Sequence, residues 1–135
     1  MIILCSLQDI GKYKQQCDEV YTCTIWPKND SGMDNVGLLA PTEKLVGGYK
    51  NHAANGKDSR WKSYAPVTSK EFTQQYIALL DSKMDAIDHW CMEQNVRTVA
   101  LCCFCPFSAP FCHLDVLEIW LWMTFGRRFR VERKY

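Results

Sequence analysis

The sequence predicts an α/β fold, a single compact domain with a small parallel or mixed sheet flanked by helices in a Rossmann-like, three-layer arrangement. Three observations carry this. A short apolar run at 2–7 has the pattern of a strand covered on both faces, as in parallel sheets, and 96–103 reads as a central strand. Other stretches place apolar residues at three- and four-residue steps, the period of a helix. The two patterns alternate along the chain, which is the order of α/β architecture. A length of 135 residues suits one domain and is enough to bury a core without staples.

Composition narrows the function classes. Hydrophobic content of 47% and charged content of 23% belong to a globular chain rather than a disordered one. A formal charge of +1 creates no overall field toward nucleic acid or membrane, so any such affinity has to be local. Eight cysteines raise the reading of a secreted disulfide scaffold. No basic stretch precedes the short apolar run 2–7, which does not suit a signal peptide. Cys102 and Cys103 are adjacent, and four cysteines crowd between positions 102 and 112. The expectation is reduced thiols in a cytoplasmic protein. The C-terminal apolar run is broken by Asp115 and Glu118 and is too short to cross a bilayer, so no membrane association is expected.

In chain order, 2–7 is the first strand and 8–16 a loop or one short helix. Residues 20–26, rich in β-branched and aromatic side chains, form a second strand that Pro27 ends, followed by a turn at 28–32. A helix begins around Thr42, with Leu45, Val46 and Tyr49 on its apolar side; Gly47 and Gly48 weaken it, so it should be short. Residues 51–65 form a long polar loop carrying Trp61 and Tyr64, either functional or a lid on the core. Thr68 and Glu71 have capping-box spacing. Phe72, Tyr76, Leu79, Leu80, Met84, Ile87 and Cys91 then form one helical face, with a kink possible at Asp81 and Ser82 and a left-handed stop at Asn95. His89 lies off that face and reads as solvated. Residues 96–103 are the central strand. Residues 113–125 are a helix apolar nearly all round, hence buried or an interface, and Gly126 stops it. Residues 128–132 alternate as a half-exposed last strand.

The chemistry concentrates at 103–113, between the central strand and the last helix. In open α/β sheets ligands bind outside the carboxyl ends of strands. A thiol at a helix start has a lowered pKa. Cys112 is therefore the candidate thiolate and His113 its proton-handling partner, with Cys103 or Cys105 facing them across the loop. Trp26 and Lys28, at the end of the second strand, and Tyr64 are candidate ligand-binding residues. A nucleotide or other phosphorylated small molecule suits a helix N-terminus. Whether the site catalyses or only binds is left open by these residues. Cys103, Cys105, Cys112 and His113 would make a zinc set by type, but Cys-x-Cys and Cys-His neighbours lack the knuckle spacing of structural zinc sites, so no metal or other cofactor is expected. Cys5, Cys23, Cys91 and Cys102 read as small buried hydrophobes, and the same plain reading applies to Cys112 and His113.

The order VALCCFCPFSAPFCHLDVL resembles the signature of a bacterial and phage family known as domain of unknown function 488. That signature is a hydrophobic strand ending in Cys, a short Pro-containing loop, and Cys-His at a helix start. The N-terminal strand, the run Asp18 to Tyr21, the Leu39-Ala40-Pro41 step, Lys50, and the helix bearing Tyr76 resemble the family in the same order. Cys103, Cys112 and His113 match the signature, and Cys105 matches some members. Leu114 departs from it, since many members carry Arg there, which removes a cation from the helix start. The resemblance implies a compact α/β domain and assigns no activity.

Readings from other classes remain. A small phage-type binding or inhibitor protein could act on a host protein through the long loop and the apolar helix, without catalysis. Trp120 and Trp122 could form a dimer face or pack in the core, so monomer and homodimer both stand. Arg127, Arg128 and Arg130 could contact nucleic acid, or could be solvated charges that guard an edge strand. No phosphate-cradling glycine motif is present.

Overall fold

The computed structural model describes residues 1–26, 32–104 and 111–134; Lys28, Cys105, and the prolines at 27, 106 and 110 lie outside the described residues. Strands β1 (Ile2–Ser6), β2 (Glu19–Thr22), β3 (Asp34–Asn35), β4 (Val99–Cys103) and β5 (Val131–Arg133) form one sheet in the order β3-β2-β4-β1-β5. Every pairing is parallel. Four α-helices accompany them among the described residues: α1 (Glu43–Ala53), α2 (Ser69–Ser82), α3 (Met84–Gln94) and α4 (His113–Phe125). The predicted α/β class holds, and the sheet is parallel rather than mixed.

All residues of β1 and β4 are buried, as their continuous apolar runs require. Alternation along each strand sorts them into two cores. Ile2, Leu4, Val99, Leu101 and Cys103 pack with residues of all four α-helices. Ile3, Cys5, Ala100 and Cys102 face the other side, where Leu7, Ile10, Tyr13 and Cys17 cover them. That cover is two 3-10 turns, Leu7–Lys12 and Lys14–Gln16, so the third layer is thin. Each fully buried Leu or Ile contributes about 1.5–3 kcal/mol.

Several expected elements are corrected. The helix at Gly47 and Gly48 is not short; α1 runs 11 residues. A Cβ on Gly47 would lie 2.5 Å from the Tyr64 ring, and one on Gly48 2.5 Å from the Ala65 carbonyl oxygen. These glycines admit a crossing segment, and that packing outweighs their low helix propensity. Residues 51–53 belong to α1, and much of the polar loop is fastened back on it: Asn51 donates to the Tyr64 carbonyl at 2.8 Å and Val67 N–H to the Gly48 carbonyl at 3.0 Å. The face from Phe72 to Cys91 is two helices, because Lys83 (φ −115°, ψ 16°) ends α2 with its N–H turned back to Leu80. Asn95 is right-handed at φ −68°. β2 stops at Thr22 instead of reaching position 26, since the Asn35 side chain takes the Thr24 N–H and carbonyl. β4 starts at Val99, leaving Val96 exposed. The last strand is displaced to Val131–Arg133.

Other features are as read. The Thr68–Glu71 capping box is complete. Gly126 (φ 59°) ends α4, whose bounds are those expected. His89 is exposed, 3.0 Å from Glu93. α4 is not buried all round: Leu114, Leu117 and Leu121 are inside, whereas Ile119, Trp122 and Met123 face outward. Trp120 is in the core, with its indole N–H donated to Asp81 at 2.9 Å.

Candidate functional site

Two chain segments build the site. β4 delivers Cys103 and Phe104 at its carboxyl end, and α4 begins with Cys112 at the N-cap and His113 in the first turn. Beside them the chain leaving β2 supplies Thr24, Ile25 and Trp26. Asn35 in β3 holds this second segment in place, accepting from Thr22 Oγ1 at 2.9 Å and the Thr24 N–H at 3.0 Å, and donating to the Thr24 carbonyl at 2.9 Å.

Between the segments lies a cavity of about 350 Å³. Its walls are Trp26, Phe104, Phe111, Cys112 and His113, closed by Val46, Tyr49 and Lys50 of α1 and Phe72 of α2. The aromatic wall is continuous. Phe111 meets Tyr49 at 5.0 Å and Phe72 at 5.3 Å between ring centroids, and Tyr76 meets His113 at 5.9 Å. Trp26 packs on Trp61 at 5.7 Å, with the Lys50 ammonium 5.1 Å over the Trp61 ring. Polar groups are sparse. Thr24 Oγ1 is enclosed without a hydrogen-bond partner among the described residues.

The expected residues divide into groups. Cys103 and Cys112 are brought together, Sγ to Sγ 3.4 Å apart. His113 lines the same cavity, but its Nε2 lies 3.0 Å from the Cys23 carbonyl oxygen and 3.7 Å from Cys23 Sγ. If that nitrogen carries the proton it donates to the carbonyl and leaves Nδ1 as the basic atom. Trp26 is in the wall. Tyr64 is not a wall residue; it packs against α1 and its hydroxyl donates to Glu43. That contact, with burial and the charge of Glu43 after it, raises the Tyr64 pKa. Lys28 and Cys105 lie outside the described residues.

Reading the sequence missed most of the wall. Tyr49 and Phe72 sit on helix faces where an apolar residue means core, and nothing local separates core from cavity lining. The signal that existed was position: Phe104 and Phe111 flank the loop already singled out.

Beside this site an ion pair stands at the start of α4. Arg133, its side chain 9% exposed, meets Asp115 in the first turn of α4 at 3.0 Å. Burial works against its charge, yet the Asp115 hydrogen bond and the charges of Cys112, Asp115 and Cys103 together raise its pKa. In the C-terminal basic stretch, Arg128 pairs with Asp88 and Arg130 with Glu132. Among the described residues no three His, Cys, Asp or Glu side chains converge as a metal site would require. Among the same residues no helix is long and apolar enough to cross a membrane. Comparison with protein-family models, with curated proteins and with solved structures gave no match.

Proposed function

We propose that this domain binds a small molecule carrying a flat aromatic group and an anionic group, with a nucleotide or related phosphorylated compound as the class that fits. The observation that carries the reading is an aromatic-walled cavity of about 350 Å³ at the carboxyl ends of β2 and β4. The sheet order gives that place its meaning. β2 and β4 are neighbours, but the chain leaving β2 goes to β3 at one edge and the chain leaving β4 goes to β5 at the other. Strands that diverge in this way leave a crevice where α/β proteins take their ligands. A volume in the range of small-molecule sites, apolar walls and a few polar groups fit the same use.

The roles follow from the walls. Trp26, Tyr49, Phe72 and Phe111 would stack a planar group. Lys50 and the first N–H groups of α4 would meet the anion. Leu114 adds no cation there, so Lys50 carries the ion pairing.

Titration of the protein with adenosine monophosphate and with adenosine, followed through tryptophan fluorescence, tests this. Both should perturb Trp26, with the phosphate form tighter. Lys50→Ala should weaken adenosine monophosphate by about tenfold, the size of one exposed charge-assisted contact, and leave adenosine unchanged. No response to either compound at millimolar concentration would sink the proposal.

A further inference from the structure

The paired sulfurs at the cavity wall have a use beyond holding a ligand. Cys112 lines the cavity, whereas Cys103 lies behind it at the end of β4 and is 1% exposed. Their sulfurs are 3.4 Å apart, against about 2.05 Å in a disulfide bond, so the two lie within contact of each other. Cys112 occupies the N-cap of α4, and Arg133 lies close enough to both sulfurs to interact with them electrostatically. A second close pair, Cys5 and Cys102 at 3.7 Å, lies across β1 and β4 on the opposite sheet face, fully buried and away from the cavity. Only one of these pairs meets a space that a reactant can enter.

We propose that Cys112 and Cys103 form a redox-active dithiol that reduces apolar organic hydroperoxides admitted by the cavity. This rests on the reading of the cavity as a small-molecule pocket. The Cys112 thiolate attacks the terminal peroxide oxygen, the O–O bond breaks, and the alkoxide leaves and takes up a proton as the alcohol. Cys112 is then a sulfenic acid. The Cys103 sulfur attacks the Cys112 sulfur; the S–S bond forms and the hydroxyl departs with the Cys103 proton as water. The peroxide has gained two electrons and the two thiols have lost them. An external low-molecular-weight dithiol restores both cysteines by exchange. The aromatic walls select the class of peroxide, since they suit an aryl or alkyl group better than hydrogen peroxide.

The test uses the reduced full chain with cumene hydroperoxide or hydrogen peroxide, sampled over time and mapped by peptide mass. A Cys103–Cys112 link should appear first, at least about tenfold faster with cumene hydroperoxide, while Cys91 stays reduced. Cys103→Ser should stop at a Cys112 sulfenic acid trapped by dimedone, and Cys112→Ser should slow peroxide loss by about a hundredfold. The wild-type map decides the matter even where a variant fails to fold. The proposal is overturned by a Cys5–Cys102 link alone, by Cys112 oxidising no faster than Cys91, or by hydrogen peroxide reacting as fast as the organic peroxide. Adenosine monophosphate binding without the link would defeat this inference and leave the pocket reading intact; a link without nucleotide binding would keep a small-molecule pocket and remove the nucleotide as its occupant.

Discussion

Cys91 is 1% exposed in α3, and burial, with the Asp88 carboxylate next, pushes its thiol up to about 12 from an ordinary 9.0. Burial likewise raises Tyr76 well above its ordinary range. These groups stay protonated in the folded chain at pH values where the unfolded chain releases the proton. The folded state then binds more protons, so stability falls as pH rises. The loss begins near the unfolded thiol value of 9.0 and, for Cys91, ends near 12. Within that window each such group costs about 1.4 kcal/mol per pH unit. Urea midpoints taken from pH 7 to pH 11 should fall steeply above pH 9, and Cys91→Ala should make the fall shallower. An unchanged slope in that variant would remove Cys91 from the account.

At the scale of the element, α1 shows how packing overrides propensity. Gly48→Ala would raise intrinsic helix preference by about 1 kcal/mol. Its new Cβ would meet the Ala65 carbonyl oxygen and Val67 Cγ2, both at 2.5 Å. Backbone has to move, so the variant should be less stable by about 1–3 kcal/mol in chemical denaturation, despite the better helix former. A stabilised variant would mean that the crossing segment does not hold α1 in solution. The same contrast explains what was legible in the sequence. The start of α2 could be read because its capping box and apolar periodicity agree with its tertiary surroundings, and α4 because Gly126 ends a long apolar run. β3 could not, since its two residues owe their place to the Asn35 side chain bridging to Thr22 and Thr24. At the site, Cys112 could be found from the start of α4, and Cys103 from the end of β4. The aromatic wall could not be found. Periodicity tells that Tyr49 and Phe72 point inward, but not that the interior they face is unfilled. Trp26 was reachable because it ends a strand run. Tyr64 lies off the wall, and a loop aromatic packed onto a helix glycine looks the same in sequence as one lining a pocket.

At the scale of the whole molecule, the parallel sheet places β1 between two strands from the far end of the chain. Ile2 is in register with Val99 on one side and with Val131 on the other. A chain made from its N-terminus at roughly 5–20 residues per second therefore holds its first strand for several seconds without a partner. Ile2, Ile3 and Leu4 spend that time as an apolar edge of the kind that recruits other chains. The fold is thus completed only after β4 and β5 have been made, rather than segment by segment. Nascent chains arrested with only residues 1–98 outside the exit tunnel should be digested readily by a nonspecific protease, with protection appearing only once β5 has emerged. Early protection would show that some other partner shields β1 first. On this account the span of synthesis between Ser6 and Val99 is when the protein most needs a holding chaperone, and a slower translating host should lose more of it to aggregation.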